Sequence, residues 1–283
     1  MNAVYAGERG SFAELAAREY FGPKGRIGQV ELFEDVFDAV REGKSVRGIV
    51  PIENTRGGSV HRNYDLLLES GCSIVGELNL KIGHYLIANK ETSLSSVRRV
   101  LSHPQALAQC RGWLRKHRSM TPVETVNTAA AVKTIKEACA LDAAAIASMQ
   151  AAIDFDMKIL ASNLQDDKNN MTRFLVIDRK PCTSVPGNVP VKSSIVFSMK
   201  NIPGALFRSL AVFSLRDIDL YKIESRPMFG QGFSYMFYLD FEGDASSEAQ
   251  RNALNHLQEM TSFYRFLGSY PVGKKVEPQY RRR

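Results

Sequence analysis

The stretch from residue 193 to 270 most narrows what this chain can fold into, because its apolar positions switch between strand and helix spacing in a fixed order. Ile195, Phe197 and Met199 alternate as on a strand, and Pro203-Gly204 opens a segment with Leu206, Leu210 and Phe213 at helical spacing. Ile218 to Glu224 reads as a strand, and Phe233, Tyr235, Phe237, Leu239 and Phe241 alternate strictly through another. Ala249, Ala253, Leu257 and Met260 share one helix face, and Phe263 to Tyr270 closes as a strand. The order βαββαβ is the ferredoxin-like split arrangement.

Ahead of it, short apolar strands alternate with helices. Ala3-Val4-Tyr5 precedes a helix from Ser11, Gly28 to Leu32 precedes one from Glu34, and Arg47 to Ile52 precedes one from about Ser59. Ser73 to Leu80 follows as a strand. Val97 to Leu101 then leads into His103 to Arg115, Pro122 to Val126 into Thr128 to Ala138, and Ala143 to Ala147 into Met149 to Asp154. This pattern predicts α/β layers with largely parallel strands, in two sub-lobes that the chain crosses between near residues 80 and 160. Met171 to Ile177 would return to the first lobe. Pro181, Pro186, Gly187 and Pro190 mark a linker over 181–192, which separates a domain of residues 1–180 from one of 193–283.

A length of 283 residues suits two such domains, each able to bury a core. No apolar run approaches a membrane span. The N-terminus lacks a basic-then-apolar leader, so no export signal or transit peptide is expected, although a processed chain would read the same. Cys72, Cys110, Cys139 and Cys182 are scattered, without a CxxC pair or a His at zinc spacing, which predicts reduced thiols and no metal site. The net charge of +7 raises nucleic-acid binding, but the basic clusters are only Arg111 to Arg118 and a solvated tail at Arg281-Arg282-Arg283. A modest positive field equally suits an enzyme that steers in a dianion.

In open α/β sheets, ligands settle where strand ends meet helix N-termini, because free N–H groups and the helix dipole favour anions. Four polar junctions sit there: Gly7 to Phe12, Pro51 to Ser59, Ser102-His103-Pro104-Gln105 and Asn127-Thr128. Taken alone, each is as readily a helix cap contributing about 1 kcal/mol.

The strings themselves are more specific. Gly7 to Phe12, Pro51-Ile52-Glu53-Asn54 with Gly57-Gly58-Ser59, Ser102-His103-Pro104-Gln105-Ala106-Leu107 with Gln109, and Thr172-Arg173-Phe174 occur in the order found in prephenate dehydratases. Gly204-Ala205-Leu206-Phe207 and Glu224-Ser225-Arg226-Pro227 resemble the amino-acid-binding regulatory (ACT) domain attached to those enzymes. The resemblance runs from about Val4 to Tyr270. It implies a two-lobed catalytic fold similar to type 2 periplasmic binding proteins, then the ferredoxin-like ACT domain. It also implies feedback by phenylalanine and a homo-oligomer, usually a tetramer built from dimers.

The implied reaction removes carbon dioxide and the ring hydroxyl from prephenate together, giving phenylpyruvate, with no metal or organic cofactor. Thr172 matches the family's catalytic threonine, as a hydrogen-bond donor to the departing oxygen. Glu53 is a second candidate acid, or orders its loop. Arg173 clamps a substrate carboxylate or pairs with Asp166 or Asp167. Asn54, Ser59, Ser102, Gln109 and Thr128 are donors around the substrate, Phe174 is a nonpolar wall, and His103 belongs to a helix-opening motif. Asn201, Gly204, Ala205, Leu206, Glu224, Ser225, Arg226 and Pro227 form the phenylalanine site. Arogenate dehydratase, acting on the amino analogue, is the alternative within the family; Ser59 to Asp65 and Leu101 to Cys110 look much like its plant-type branch. The location expected is cytoplasmic, or the plastid stroma for a processed plant-type chain. A non-catalytic two-lobed amino-acid sensor is the rival of a different class, weakened by Thr172-Arg173-Phe174.

Overall fold

The computed structural model describes residues 2–182, 185, 188–200, 202–227 and 235–281. Asn201 and Phe233, both singled out by sequence, lie outside them.

In the first lobe β1 (Ala3–Ala6), β2 (Ile27–Val30) and β3 (Arg47–Asn54) run parallel, joined by α1 (Phe12–Phe21) and α2 (Phe33–Arg41). Ser11 caps α1 by accepting the Glu14 N–H, while the Glu14 carboxylate takes the Gly10 N–H, so two orphan donors are satisfied reciprocally. A two-residue β4 (Gly58–Ser59) folds back on β3; α3 (His61–Ser70) and β5 (Ser73–Lys81) follow. Because Ser59 is strand, the helix expected from about that residue starts at His61.

The chain then crosses to a second lobe of β6 (Tyr85–Ala88), β7 (Arg99–Ser102), α4 (Pro104–Gln109), α5 (Arg111–Lys116), β8 (Thr121–Glu124), α6 (Thr128–Glu137), β9 (Ala143–Ala147), α7 (Met149–Asp154) and β10 (Lys158–Ala161). The helix expected over His103 to Arg115 is two short ones that meet at Cys110. β11 (Met171–Asp178) returns to the first lobe and inserts between β3 and β5, antiparallel to both. Parallel pairing therefore holds only in part: β6 runs against its neighbours β9 and β10, and β11 runs against β3 and β5, because the chain changes lobes twice. The two crossing segments are bonded to each other, Ile82 N–H to the Asn170 carbonyl at 2.8 Å and Leu164 N–H to the His84 carbonyl at 3.0 Å.

The C-terminal sheet has the order β13-β14-β12-β15, from β12 (Val191–Met199), α8 (Ala205–Ser214), β13 (Leu220–Pro227), β14 (Tyr235–Glu242), α9 (Glu248–Met260) and β15 (Thr261–Pro271). It is the antiparallel βαββαβ arrangement that the periodicity predicts. Ile195, Phe197, Leu239 and Phe241 pack under the helices against Val212, Phe213 and Leu257. Each such side chain contributes about 1.5–3 kcal/mol on burial. The other face, with Val196, Met236, Tyr238, Leu267 and Tyr270, packs on Tyr64, Leu66, Leu67 and Ile74 of the first lobe. Gly268 permits that approach: at φ +148 it lies where a Cβ would meet the Ile74 carbonyl oxygen at 2.1 Å.

β16 (Lys274–Val276) then joins the first-lobe sheet beside β5, in parallel. At the described end of the basic tail Arg281 is exposed, as expected, while its backbone exchanges two hydrogen bonds with the Gln150 side chain.

Candidate active site

Thr172 and Asn54 are register partners on β11 and β3, and both are half-buried at the end of the first-lobe sheet that faces the crossing segments. The Asn54 carboxamide is fixed by its backbone partners. Its Oδ1 accepts the N–H groups of Arg56 at 3.0 Å and Gly57 at 2.8 Å, so its Nδ2 must be the donor on the other side. The two hydrogens of that NH₂ are shared among the Met171 carbonyl at 2.9 Å, Asn170 Oδ1 at 2.8 Å and Thr172 Oγ1 at 2.9 Å.

The direction of donation propagates. Asn170 Nδ2 donates to Gln109 Oε1 at 2.9 Å, and Gln109 Nε2 donates to Asn54 Oδ1 at 3.1 Å. Gln109 Oε1 is an acceptor, so His84 Nε2, 2.9 Å away, carries the proton. Burial holds the His84 imidazole below the usual histidine range, against the opposing pull of Gln109. The ring is neutral, and among the described residues its Nδ1 has no partner. A chain of donors therefore runs from His84 through Gln109 and Asn54 to Thr172. Its last member accepts one hydrogen bond and retains a hydroxyl proton to give away.

Of the expected site residues, this network gathers Thr172, Asn54 and Gln109. Thr128 is half-buried at the first position of α6, where backbone N–H groups have no carbonyl within the helix; Asn127 caps it by accepting the Ala130 N–H at 2.7 Å. His103 is the cap of α4, its Nδ1 accepting the Gln105 N–H, as its helix-opening role requires.

Five others serve elsewhere. Ser102 is fully buried and donates to the Ile146 carbonyl at 2.6 Å, which ties β7 to β9 and leaves no proton for a substrate. Phe174 is 2% exposed inside the first-lobe core, not on a cleft wall. Arg173 points opposite to Thr172, as strand alternation demands. Its guanidinium meets Glu77 and Asp240 at 2.6 Å each and Glu53 at 3.4 Å, so neither Asp166 nor Asp167 is its partner. Glu53 faces the C-terminal domain and pairs with Lys222. Ser59 donates to Glu224 at 2.7 Å.

Two carboxyl groups of this interface, Asp240 and Glu224, are held below the usual carboxylate range. Burial alone would raise Asp240, but Arg173 and the Ser194 hydroxyl outweigh it and hold the carboxyl below the usual range. Glu224 is likewise pushed up by burial, yet ends lowered by Ser59, Lys222 and His61.

In the proposed effector motif, Gly204 caps α8 with φ +77, a left-handed conformation that explains the glycine before Ala205. Leu206 is partly exposed and Phe207 is 76% exposed. Along β13, Lys222, Glu224 and Arg226 face the first lobe, with Arg226 forked onto Asp65 at 2.8 and 3.3 Å, while Ser225 and Pro227 face outward. Glu224 and Arg226 are thus occupied by the first lobe, which the sequence did not foretell.

Two site residues escaped the sequence reading. Asn170 stands just before β11 and two residues from Thr172, a nearness that was available as a signal. His84 follows the crossing at Ile82 and carried none.

Comparisons with known proteins point to one family. A family profile described as prephenate dehydratase matches residues 3–182. A protein of Arabidopsis thaliana named arogenate dehydratase/prephenate dehydratase 2, chloroplastic, is 45% identical over 282 residues, spanning 96% of this chain and 73% of that protein. The structure of a prephenate dehydratase from Arthrobacter aurescens in complex with L-Phe superposes with a TM-score of 0.87 at 28% identity, covering 99% of this chain and 92% of that one. A structure described as a novel type of quorum quenching acylase, GqqA, superposes at 0.86 with 28% identity, covering 96% and 98%. One fold thus carries two named activities, and the site has to decide between them.

Proposed function

The chain belongs to the prephenate dehydratase family, and we propose that it removes carbon dioxide and the ring hydroxyl together from prephenate, yielding phenylpyruvate. The observation that carries this reading is the donor chain ending on Thr172. Asn54 occupies a lone pair of the Thr172 oxygen at 2.9 Å, so the hydroxyl proton is directed at whatever sits beyond it. In dehydration that partner is the departing ring oxygen, on which negative charge grows as the C–O bond breaks. A fixed donor in a water-poor setting stabilises that charge without reorganising. Asn170, His84 and Gln109 are 1%, 2% and 9% exposed, so the inner part of the network behind Asn54 and Thr172 is shielded from water. All its members are uncharged. A carboxylate bound beside them loses hydration without gaining a counter-charge, which favours its release as carbon dioxide. The side-chain carboxylate is assigned to N–H donors such as those at Thr128.

The Arabidopsis relative's name includes arogenate dehydratase, so the amino analogue is the second reading. Parallel assays of the purified chain with prephenate and with arogenate decide between them, and the absence of turnover on both would sink the assignment.

Phenylalanine is the proposed effector, supported by the L-Phe complex of the Arthrobacter relative and by the left-handed Gly204 at the start of α8. Partly or largely exposed Ile202, Leu206, Phe207, Tyr221 and Ile223 on the C-terminal domain support assembly into dimers and a tetramer. Among the described residues no helix is long and apolar enough to cross a membrane. The four thiols are unbridged, which suits a reducing compartment: plastid stroma for a plant source, cytoplasm otherwise.

A further inference from the structure

We propose that Lys222, from the C-terminal domain, is a positioning residue of the dehydratase site, acting through the hairpin that carries Asn54. This rests on the reading of Thr172 and Asn54 given above.

The hairpin is β3–β4. Its ladder is short, with Glu53 opposite Ser59 and Asn54 opposite Gly58, and Thr55, Arg56, Gly57 and Gly58 are exposed. So small a ladder does little to fix its own geometry. Asn54 itself is held by its register pairing with Thr172 on β11, but the turn whose Arg56 and Gly57 N–H groups orient its carboxamide is closed only by this ladder, so contacts from outside the hairpin have to steady β4.

Lys222 reaches both of its strands. The ammonium pairs with the Glu53 carboxylate on β3 and lies 3.4 Å from the Ser59 hydroxyl on β4. Ser59 in turn donates to Glu224, which stands 3.5 Å from the same ammonium. Arg173 approaches Glu53 from its own strand at 3.4 Å, and His61 approaches Glu224 at 3.2 Å. The Tyr64 ring lies under the ammonium, 5.6 Å from its centroid. Lys222 is only 16% exposed in its side chain and Glu53 31%, so the pair is partly shielded from solvent and salt.

The attachment point is one residue from Asn54, on the opposite face of β3. The clamp touches no reacting atom. It sets the position of a residue that does. Because alternation along β13 turns Lys222, Glu224 and Arg226 all toward the first lobe, any displacement of β13 by an effector moves the clamp first.

The test compares Lys222→Met and Lys222→Arg in the full-length chain. With prephenate, the Met variant is expected to lose about 10-fold or more in kcat with KM within about twofold, and the Arg variant to recover most of that loss. Amide hydrogen exchange at residues 54–58 should quicken by about 10-fold in the Met variant and return toward wild type with Arg. Phenylalanine inhibition should weaken in parallel with the exchange change. A folded Met variant with unchanged kcat and unchanged exchange overturns the proposal. So does a kcat loss that Arg does not restore and that comes with a lowered unfolding midpoint but unaltered exchange at 54–58. If the wild type turns over neither prephenate nor arogenate, the functional reading fails, and the exchange comparison still judges the clamp.

Discussion

Asn54 donates its side-chain amide to the Thr172 hydroxyl oxygen at 2.9 Å across the β3–β11 register pair. The polarity of that bond matters more than its length. Asn54→Asp is nearly isosteric but replaces a donor by an acceptor, so the Thr172 proton turns toward the carboxylate and away from the leaving oxygen. A fall of about 10²-fold in kcat is expected, the range for a misdirected proton donor, with a smaller change in KM. Steady-state kinetics on a variant with unaltered circular dichroism checks it.

The neutral, buried His84 gives a stability signature with a definite sign. Its folded-state pKa is depressed by burial, as is that of His103, whose ring is partly desolvated. Stability from these groups is fully present above the unfolded histidine value of about 6.5 and is lost as pH falls below it, because only the unfolded chain accepts the proton readily. The unfolding midpoint should drop between pH 7.5 and 5.5, and less steeply in His84→Gln. Equal slopes would remove His84 from that dependence.

Arg173 joins Glu77, whose side chain is fully buried, to Asp240 of the C-terminal domain. Arg173→Met leaves both carboxylates short of a partner. Lys192 still holds Glu77 at 2.8 Å, so Asp240 takes most of the penalty. A loss of about 3–5 kcal/mol is expected from denaturant titration. Asp240 and Glu224 have depressed pKa values, so their contribution is present above the ordinary carboxylate range and disappears as pH falls through the lowered ones. Domain separation in acid should begin below about pH 4 and occur at higher pH in Arg173→Met.

Much of the fold was legible because its periods are clean. Phe237, Leu239 and Phe241 announce the helix-covered face of β14, but alternation alone does not show that Met236, Tyr238 and Asp240 between them form a second buried face. Lys222 and Asp240 carried no signal for the same reason. Thr172-Arg173-Phe174 is one motif in sequence and three environments in space: the sheet end beside the lobe crossing, the domain interface and the core. Neighbouring strand residues point apart, and conjoined spelling conceals it. β6 and β10 escaped notice, and the direction of β6 and β11 follows from lobe crossings that no local pattern encodes.

Gly204 stands at φ +77 with open space around its would-be side chain, so a substitution there is felt through the backbone alone. A β-branched residue costs about 1–2 kcal/mol in that conformation and disturbs the first turn of α8. Gly204→Val should blunt inhibition by phenylalanine while leaving basal turnover largely intact, measured as rate against effector concentration. Full inhibition at unshifted concentrations would move the effector site elsewhere.

The central claim is tested most directly by single-turnover rates of Thr172→Val beside Thr172→Ser on whichever substrate the wild type accepts. Val keeps the branched shape and removes the proton, and Ser keeps the proton and loses a methyl. Val is expected to bind substrate normally and to fall by about 10²–10⁴ in rate, with Ser retaining most of it. A Val variant that turns over at the wild-type rate would contradict the account.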